Sequence, residues 1–422
     1  MHAITLLQDI LRQGCPDIHR ARLDALLDAA RAALNARSHT LSNLARALNS
    51  CTAVRHNVRR MDRLLGNDAL NLECASVYEA MARSLMRDVG TVLILVDWSD
   101  LNADRSAQLI RAAVALEGRS LTLYEEVHSM RAAATPKVHE AFLQRLKALL
   151  PAGCQPIIIT DAGFRAPWFR AVEALGWHWL GRIRNRTQVR EHGEQKSPGK
   201  AAAVWRGCKS LYARATPKAL DLGMFECVRT CPMVCRLITV KRRPKGRHMK
   251  TVNGARTPSS HSKKQAKAQS EPWLLGASTS LAYLGANAVV AIYGQRMQIE
   301  QAFRDTKNAR FGLGLSESGS RGTARLGILA LIASLAEFVV RLMGETAISQ
   351  HQQYDLQLTN RRSRPEISCI RVGLLLIKNA LGQFTAAEFG ETLRAWREPH
   401  PALRICGETS EAGTLHKDLS PA

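Results

Sequence analysis

The chain has 422 residues and carries 59 Lys and Arg against 36 Asp and Glu, a formal charge of +23 at pH 7. That length exceeds one ordinary core, so two or three domains are expected. The charge points to a polyanionic partner, because neutralising phosphates releases condensed counterions whatever the base sequence; a ribosomal or anionic-membrane partner would carry the same signature. The first twenty residues place Asp9 early and lack a basic start followed by a long apolar core, which is not the pattern of a secretory signal. The longest apolar stretch, Leu326 to Met343, is interrupted by Glu337 and Arg341, as in a packed core helix and unlike a membrane span. Ten thinly spread cysteines form no small disulfide framework and point to reduced thiols, hence to a soluble cytoplasmic protein.

Residues 1 to about 75 read as helical, with apolar residues at helical spacing in LLQDILRQ, LDALLDAARAAL and LSNLARAL, and with Thr40 and Ser42 as N-caps of the third run. A short turn then leads into a basic helix bearing Arg55, His56, Arg59, Arg60 and Arg63. Helix, turn, basic helix is the arrangement that sets one helix into a major groove, although a solvated basic face fits the pattern equally well.

From about residue 90 the pattern turns to strands. TVLILVD is an apolar run ending in an acid, as expected of a strand buried on both faces. Two β-prone runs flank Glu117-Gly118, which reads as a hairpin. The amphipathic helix VHEAFLQRLKALL follows, then the short strand PIIITDAG with its own terminal acid, the helix APWFRAVEALG and the strand WHWLGRIRN. This order fits a mixed sheet with helices packed on it. Residues 186 to 284 read as an inserted strand-rich region, within which the basic stretch from Lys241 to Ser270 reads as a mobile loop. One long helix is expected over Ala286 to Asn308, more helices after it, and a disordered polar tail.

Asp97 and Asp161 each close an apolar run, the position where α/β sheets collect ligands. Each acid alone is an ordinary strand ending. A third acid would complete a site for two divalent cations, and carboxylate oxygens suit Mg²⁺, with Mn²⁺ as a substitute. The expected helix over 286–308 supplies it: at about 100° per residue, Tyr293, Arg296, Glu300 and Lys307 share an arc of roughly 60°, with Arg304 beside them. A solvated Arg296 to Glu300 pair is the plainer account and leaves Tyr293 unexplained.

Tyr293, Arg296, Glu300 and Lys307 in this spacing, together with LVDWSD, TDAGF, GWHWLGRIR and YGQRMQIEQAFRDTKNARFGLGL, resemble the Y-R-E-K signature and flanking segments of cut-and-paste DDE transposases of bacterial insertion sequences, above all the insertion-sequence-ten type. The resemblance runs from about residue 64 to about 315. It implies a ribonuclease-H-like catalytic core over 81–315 with a β-rich insertion, between a helical DNA-end-binding domain (1–80) and a helical, dimerising C-terminal domain (316–422). Asp97 would be the ligand shared by both ions, with Asp161 and Glu300 completing one each. Water would nick the element end, and the freed 3′ hydroxyl would form a hairpin that is reopened before transfer into target DNA. Trp273 would stack a flipped base. Tyr293, Arg296, Arg304, Lys307, Arg182 and Arg184 would hold phosphates, and Arg55, Arg59, Arg60 and Arg63 would read terminal inverted repeats. The implied assembly is a homodimer on paired double-stranded DNA ends in a bacterial cytoplasm, associated with the nucleoid and with no membrane partner. The alternative is an inactive copy that occupies DNA ends and inhibits transposition.

Cys227, Cys231 and Cys235 recur every fourth residue, about 13 Å apart in a strand and without C-x₂-C spacing, and so read as structural thiols and not as a zinc site. Asp100 and Asp104 read as loop acids, and Trp98 as packing beneath the site.

Overall fold

The computed structural model describes residues 2–86, 89–184, 186–193, 204–243, 255–260, 262–263, 271–310, 312–360, 362 and 366–403. Most of the basic stretch from Lys241 to Ser270, and all of the polar tail from Gly407, lie outside these residues. Two compact units divide the chain: the first comprises Met1–Cys154 and Met297–His400, the second Gln155–Arg296 and the described residues from Pro401.

The first unit begins with five helices, α1 (His2–Gly14), α2 (Arg20–Ala36), α3 (Leu41–Ala47), α4 (Val54–Leu65) and α5 (Asp68–Leu85). Thr40 caps α3 by accepting the Asn43 N–H at 3.3 Å, whereas Ser42 lies inside the helix. Three antiparallel strands follow in the order β3-β2-β1: β1 (Thr91–Asp100), β2 (Ala107–Ala115) and β3 (Ser120–Ser129). The hairpin expected at Glu117-Gly118 joins β2 to β3, with Gly118 at φ 78°, a backbone only glycine holds without strain. Asp97 does not end β1. Pairing with β2 continues through Trp98↔Ile110, Ser99↔Leu109 and Asp100↔Gln108, so the polar residues after the apolar run still meet ladder partners. Helix α6 (Pro136–Leu149) closes this portion.

The described residues of the second unit include seven strands in a mixed sheet, ordered β4-β5-β10-β9-β8-β6-β7. They are β4 (Gln155–Thr160), β5 (His178–Arg182), β6 (Gln188–Glu191), β7 (Arg206–Gly207), β8 (Leu220–Cys227), β9 (Met233–Val240) and β10 (Trp273–Ala277). Strands β4 and β5 run parallel, joined by α7 (Ala166–Ala174). The remainder pair antiparallel. The three cysteines do not share one strand. Cys227 ends β8, Cys231 sits in the turn, and Cys235 lies in β9, which brings the Cys227 and Cys235 sulfurs to 3.3 Å as buried free thiols.

The single helix expected over 286–308 is two: α8 (Ala286–Gly294) and α9 (Met297–Lys307). At the break Gln295 and Arg296 donate to Ile292 and Tyr293, a tightening to i→i+3 bonds just after Gly294, a poor helix former. The arc drawn on one continuous helix therefore spans the break at residues 295–296.

Back in the first unit, α10 (Thr323–Ser349), α11 (Cys369–Lys378) and α12 (Ala386–Arg397) complete the core. Helix α10 is long and apolar enough to span a membrane, yet 94% of its most apolar window is buried inside the protein. A Cβ at Gly344 would stand 1.9 Å from the Cys369 carbonyl oxygen, and one at Gly373 would stand 2.0 Å from that of Val340. Helices α10 and α11 therefore touch backbone to backbone, and only glycine permits it.

A charged cluster is buried where β2, β3, α9 and α10 meet. Arg111 Nε donates to Glu125 Oε2 at 2.6 Å, its Nη1 donates to Thr306 Oγ1 at 3.2 Å, and Nη1 lies 3.5 Å from Glu337 Oε2. Glu125 also accepts from Tyr78 at 3.0 Å and from Ser334 at 2.6 Å. One guanidinium thus faces two carboxylates. Burial raises Glu337 from its ordinary 4.5 to about 7, against the opposing pull of Arg111. The carboxyl keeps its proton to about pH 7 when folded but only to about 4.5 when unfolded, so its stability contribution is complete below 4.5 and is lost as pH rises through 7. Glu337→Gln, neutral throughout, is therefore expected to gain stability relative to the parent between about pH 5 and pH 8, measured as the difference in urea midpoint. Arg111→Met, which leaves two carboxylates without their cation, is expected to cost about 3–5 kcal/mol in the same measurement.

Candidate active site

Two stripes of α9 have different tasks. Ile299, Ala302, Phe303 and Thr306 are buried, and polar side chains reinforce them: Gln298 accepts the Leu116 N–H at 3.1 Å, Asp305 takes Arg119 at 2.6 Å, and Gln301 bonds the same arginine. The opposite stripe, Glu300, Arg304 and Lys307 at helical spacing of four and three, is left for the site. Glu300 and Arg304 are exposed. Lys307 is half-buried and its Nζ donates to Ser99 Oγ and the Asp100 carbonyl, both at 2.8 Å; burial lowers its pKa. It ties α9 to β1 and keeps one N–H for another acceptor.

Asp97, on β1, faces the same cavity of about 500 Å³, lined by Trp98, Ser99, Glu300, Phe303, Arg304 and Lys307 among others. The Asp97 carboxylate accepts its neighbour's N–H, from Trp98, at 2.8 Å, and the Trp98 indole N–H donates to His139 Nε2 at 3.1 Å. Asp97 and Glu300, 203 residues apart in sequence, thus share one cavity of the first unit, with two cations beside them. Asp100 and Asp104 are local acids, Asp100 accepting from Gln108 at 2.6 Å and Asp104 from the Ser106 N–H at 3.0 Å.

In the second unit Asp161 immediately follows β4, and its Oδ1 accepts the Gly163 N–H at 2.7 Å. A Cβ at residue 163 would stand 2.9 Å from that oxygen, which accounts for glycine in TDAGF. Tyr293 is buried; burial raises its pKa, whereas Arg296 and Arg182 lower it and Asp161 raises it, so these four groups lie within electrostatic reach of one another. Trp273, at the start of β10, meets the Tyr293 ring edge-on at a centroid distance of 5.0 Å, and the Arg242 guanidinium sits 5.2 Å over its ring. Arg182 donates to the Glu271 and Pro272 carbonyls at 3.3 Å, and Arg184 pairs with Glu271 at 2.8 Å. Within the second unit Tyr293 and Arg296 thus stand near Asp161 and Arg182, with Trp273 against Tyr293; within the first, Glu300 and Lys307 share a cavity with Asp97.

Helix α4 exposes Arg55, Arg59 and Arg63, whereas Arg60 pairs with Asp28 of α2 at 2.6 Å. Arg111, Glu125, Gln298 and Arg119, which fix the strand and helix bearing the carboxylates, escaped sequence reasoning. An arginine inside the apolar run AQLIRAAVA was the signal available.

Among the described residues no three His, Cys, Asp or Glu side chains gather closely enough to hold a metal ion by themselves. The cavity nevertheless fits a hydrated divalent cation, since such an ion takes one or two carboxylates and fills its remaining positions with water and substrate phosphate. Asp97 and Glu300 supply two hard oxygen donors.

The sequence profile of the transposase DDE domain matches residues 89–336. No curated protein matches the chain. Among solved structures, a piggyBac transposase synaptic complex with hairpin DNA, determined by cryo-EM, aligns over 98% of this chain and 82% of its own at 11% identity. Its TM-score of 0.39 is too low to support an inference.

Because Trp98 lines the cavity, Mn²⁺ titration is expected to quench the tryptophan emission that Trp98→Phe lacks. Glu300→Gln should raise the half-saturating concentration by about 10-fold or more. Equal quenching in Glu300→Gln and Asp97→Asn would locate the ion elsewhere.

Proposed function

The chain belongs to the DDE transposase family, a family of metal-dependent nucleases and strand transferases, and on that footing we propose that it performs cut-and-paste transposition of a bacterial insertion sequence through Asp97, Asp161 and Glu300. The observation that carries this reading is the shared cavity of Asp97 and Glu300, furnished with Arg304 and Lys307. Two divalent ions, Mg²⁺ or Mn²⁺, would supply activation of the attacking oxygen and stabilisation of the leaving oxygen when bound.

The protein's own groups have separable tasks in this reading. Asp97 and Glu300 present acceptors from a strand and a helix that the buried charges around Arg111 hold rigid. Arg304 and the remaining N–H of Lys307 neutralise phosphate at the cavity mouth, and Arg296 beside Tyr293 does the same near Asp161. Water opens the element end, the freed 3′ hydroxyl closes a hairpin on the opposite strand, and Trp273 stacks the base displaced by that strain. Its edge contact with Tyr293 supports this role, because a ring fixed on one side can offer its face on the other. Helices α3 and α4 would read terminal inverted repeats through Arg55, Arg59 and Arg63, with Arg60 buttressing the helix through Asp28. The ribonuclease-H-like core, the end-binding domain over 1–80, the dimerising C-terminal helices and the cytoplasmic, nucleoid-associated setting belong to the same proposal.

The test is incubation of the full chain with a DNA fragment carrying the element's own ends and Mg²⁺ or Mn²⁺. Nicks and hairpins are expected from the parent, and Asp97→Ala or Glu300→Ala should lose on the order of 10²-fold or more in rate, the scale on which single electrostatic groups act. Trp273→Ala should lower hairpin yield more than first nicking. A parent that binds ends without cutting them would favour the inhibitor reading, and an Asp97→Ala variant that cuts as well as the parent would remove the catalytic assignment.

A further inference from the structure

A cavity of the second unit, about 1090 Å³, does not contain the carboxylates. It is lined by Arg165, Arg182, Arg184, Arg186, Lys209 and Arg229, and by no acidic side chain. Glu271 offsets part of this charge from outside the lining, pairing with Arg184 at 2.8 Å and facing Lys209 at 3.8 Å. Arg165, Arg186 and Arg229 form no ion pair among the described residues, and the buried Nε of Arg182 has no hydrogen-bond partner. Like charges converging on a concave surface repel one another, so the arrangement is suited to an anion that enters it.

The rest of the wall is apolar, from Phe164, Pro167, Phe169, Ile183 and Met233. The rim is strained. Val228 is held at φ 68°, a conformation β-branched residues rarely adopt, by its N–H bond to the Gln188 carbonyl at 2.9 Å and by accepting the Cys231 N–H at 3.2 Å. That turn carries Arg229 to the cavity. A space of this volume is on the order of 10 Å across, less than the ~12 Å major groove alone, so a duplex cannot enter but one strand can.

We propose that this cavity seats a single strand of DNA, with phosphates on its arginines and bases against its apolar wall. Cations interleaved with apolar and aromatic surface are what a strand requires, since every nucleotide presents both a charge and a π-face. A polyanion without bases would use only the arginines. The proposal rests on charge and shape and not on the carboxylates, so it can fail or stand independently of the catalytic reading.

The test uses the full chain in EDTA, which silences metal chemistry, with a labelled 12-nucleotide strand and a 12-base-pair duplex titrated across a salt series. Arg186→Ala and Arg229→Ala, both at exposed positions, should each lessen the salt slope for the single strand by about 0.7, and together by about 1.4, while the duplex slope is unchanged. An abasic strand should bind several-fold more weakly than a natural one. Unchanged single-strand slopes, or an equal loss for the duplex, would overturn the proposal. Equal affinity for abasic and natural strands, or displacement by heparin as effective as by DNA, would overturn the base contacts.

Discussion

The Arg111 guanidinium is the fixed point of the first unit. It sits on β2 directly opposite Asp97 in the register and opposite Glu125 on the other side, so a row of acid, base and acid crosses three strands. The same guanidinium reaches Thr306 on α9 and stands 5.0 Å from the Phe303 ring centroid. The strand that carries Asp97 and the helix that carries Glu300 thus share one buried cation. A cation this deep is costly to desolvate, and burying it with two carboxylates at 2.6 and 3.5 Å is the arrangement that offsets the cost. The rigidity matters because a carboxylate pair is useful only if each oxygen is held where a shared ligand can find it.

Around that point the remaining contacts fall into a hierarchy. Gln298, Gln301, Asp305 and Thr306 occupy the inward side of α9 and fix its rotation, and Lys307 then fixes its C-terminal end against Ser99 and the Asp100 carbonyl. A helix rotated by one residue, about 100°, would turn Glu300 away and bring a core residue to the cavity. This explains why α9 tolerates so many polar groups on its buried side: apolar packing sets distance well but rotation poorly, whereas directional bonds set both.

Much of this was legible in the sequence, and the failures have physical causes. TVLILVD and PIIITDAG read correctly as strands because continuous apolar runs with terminal acids have few other solutions. The hairpin at Gly118 and the burial of α10 followed from equally strong local signals. Asp97 was misplaced at a strand end because hydropathy marks where burial stops, while pairing runs three residues further. The helix over 286–308 was read as continuous because a single Gly294 is a weak breaker; only the i→i+3 bonds at Gln295 and Arg296 reveal the interruption. The cysteines are free thiols as read, but the one-strand spacing applied to them does not hold, since a four-residue period cannot distinguish one strand from two strands and a turn.

The +23 charge also resolves into two populations with different physics. Arg111, Arg119 and Arg236 are buried or nearly so and pair with Glu125, Asp305 and Asp221 at 2.6, 2.6 and 2.5 Å. These arginines build the fold and contribute almost nothing to the field outside it. Arg55, Arg59 and Arg63 on α4, and Arg165, Arg186 and Arg229 around the large cavity, lie on the surface without carboxylate partners among the described residues. Unpaired surface cations repel one another and make no net contribution to stability. Their grouping in two clusters is therefore suited to an approaching polyanion. A convex helix suits the groove of a duplex and a concave cavity suits a single strand, so the two clusters need not compete for one ligand. The proposed reaction opens DNA ends and so involves both duplex and single strand, and the distribution of unpaired charge, more than its total, is what the two clusters offer to them.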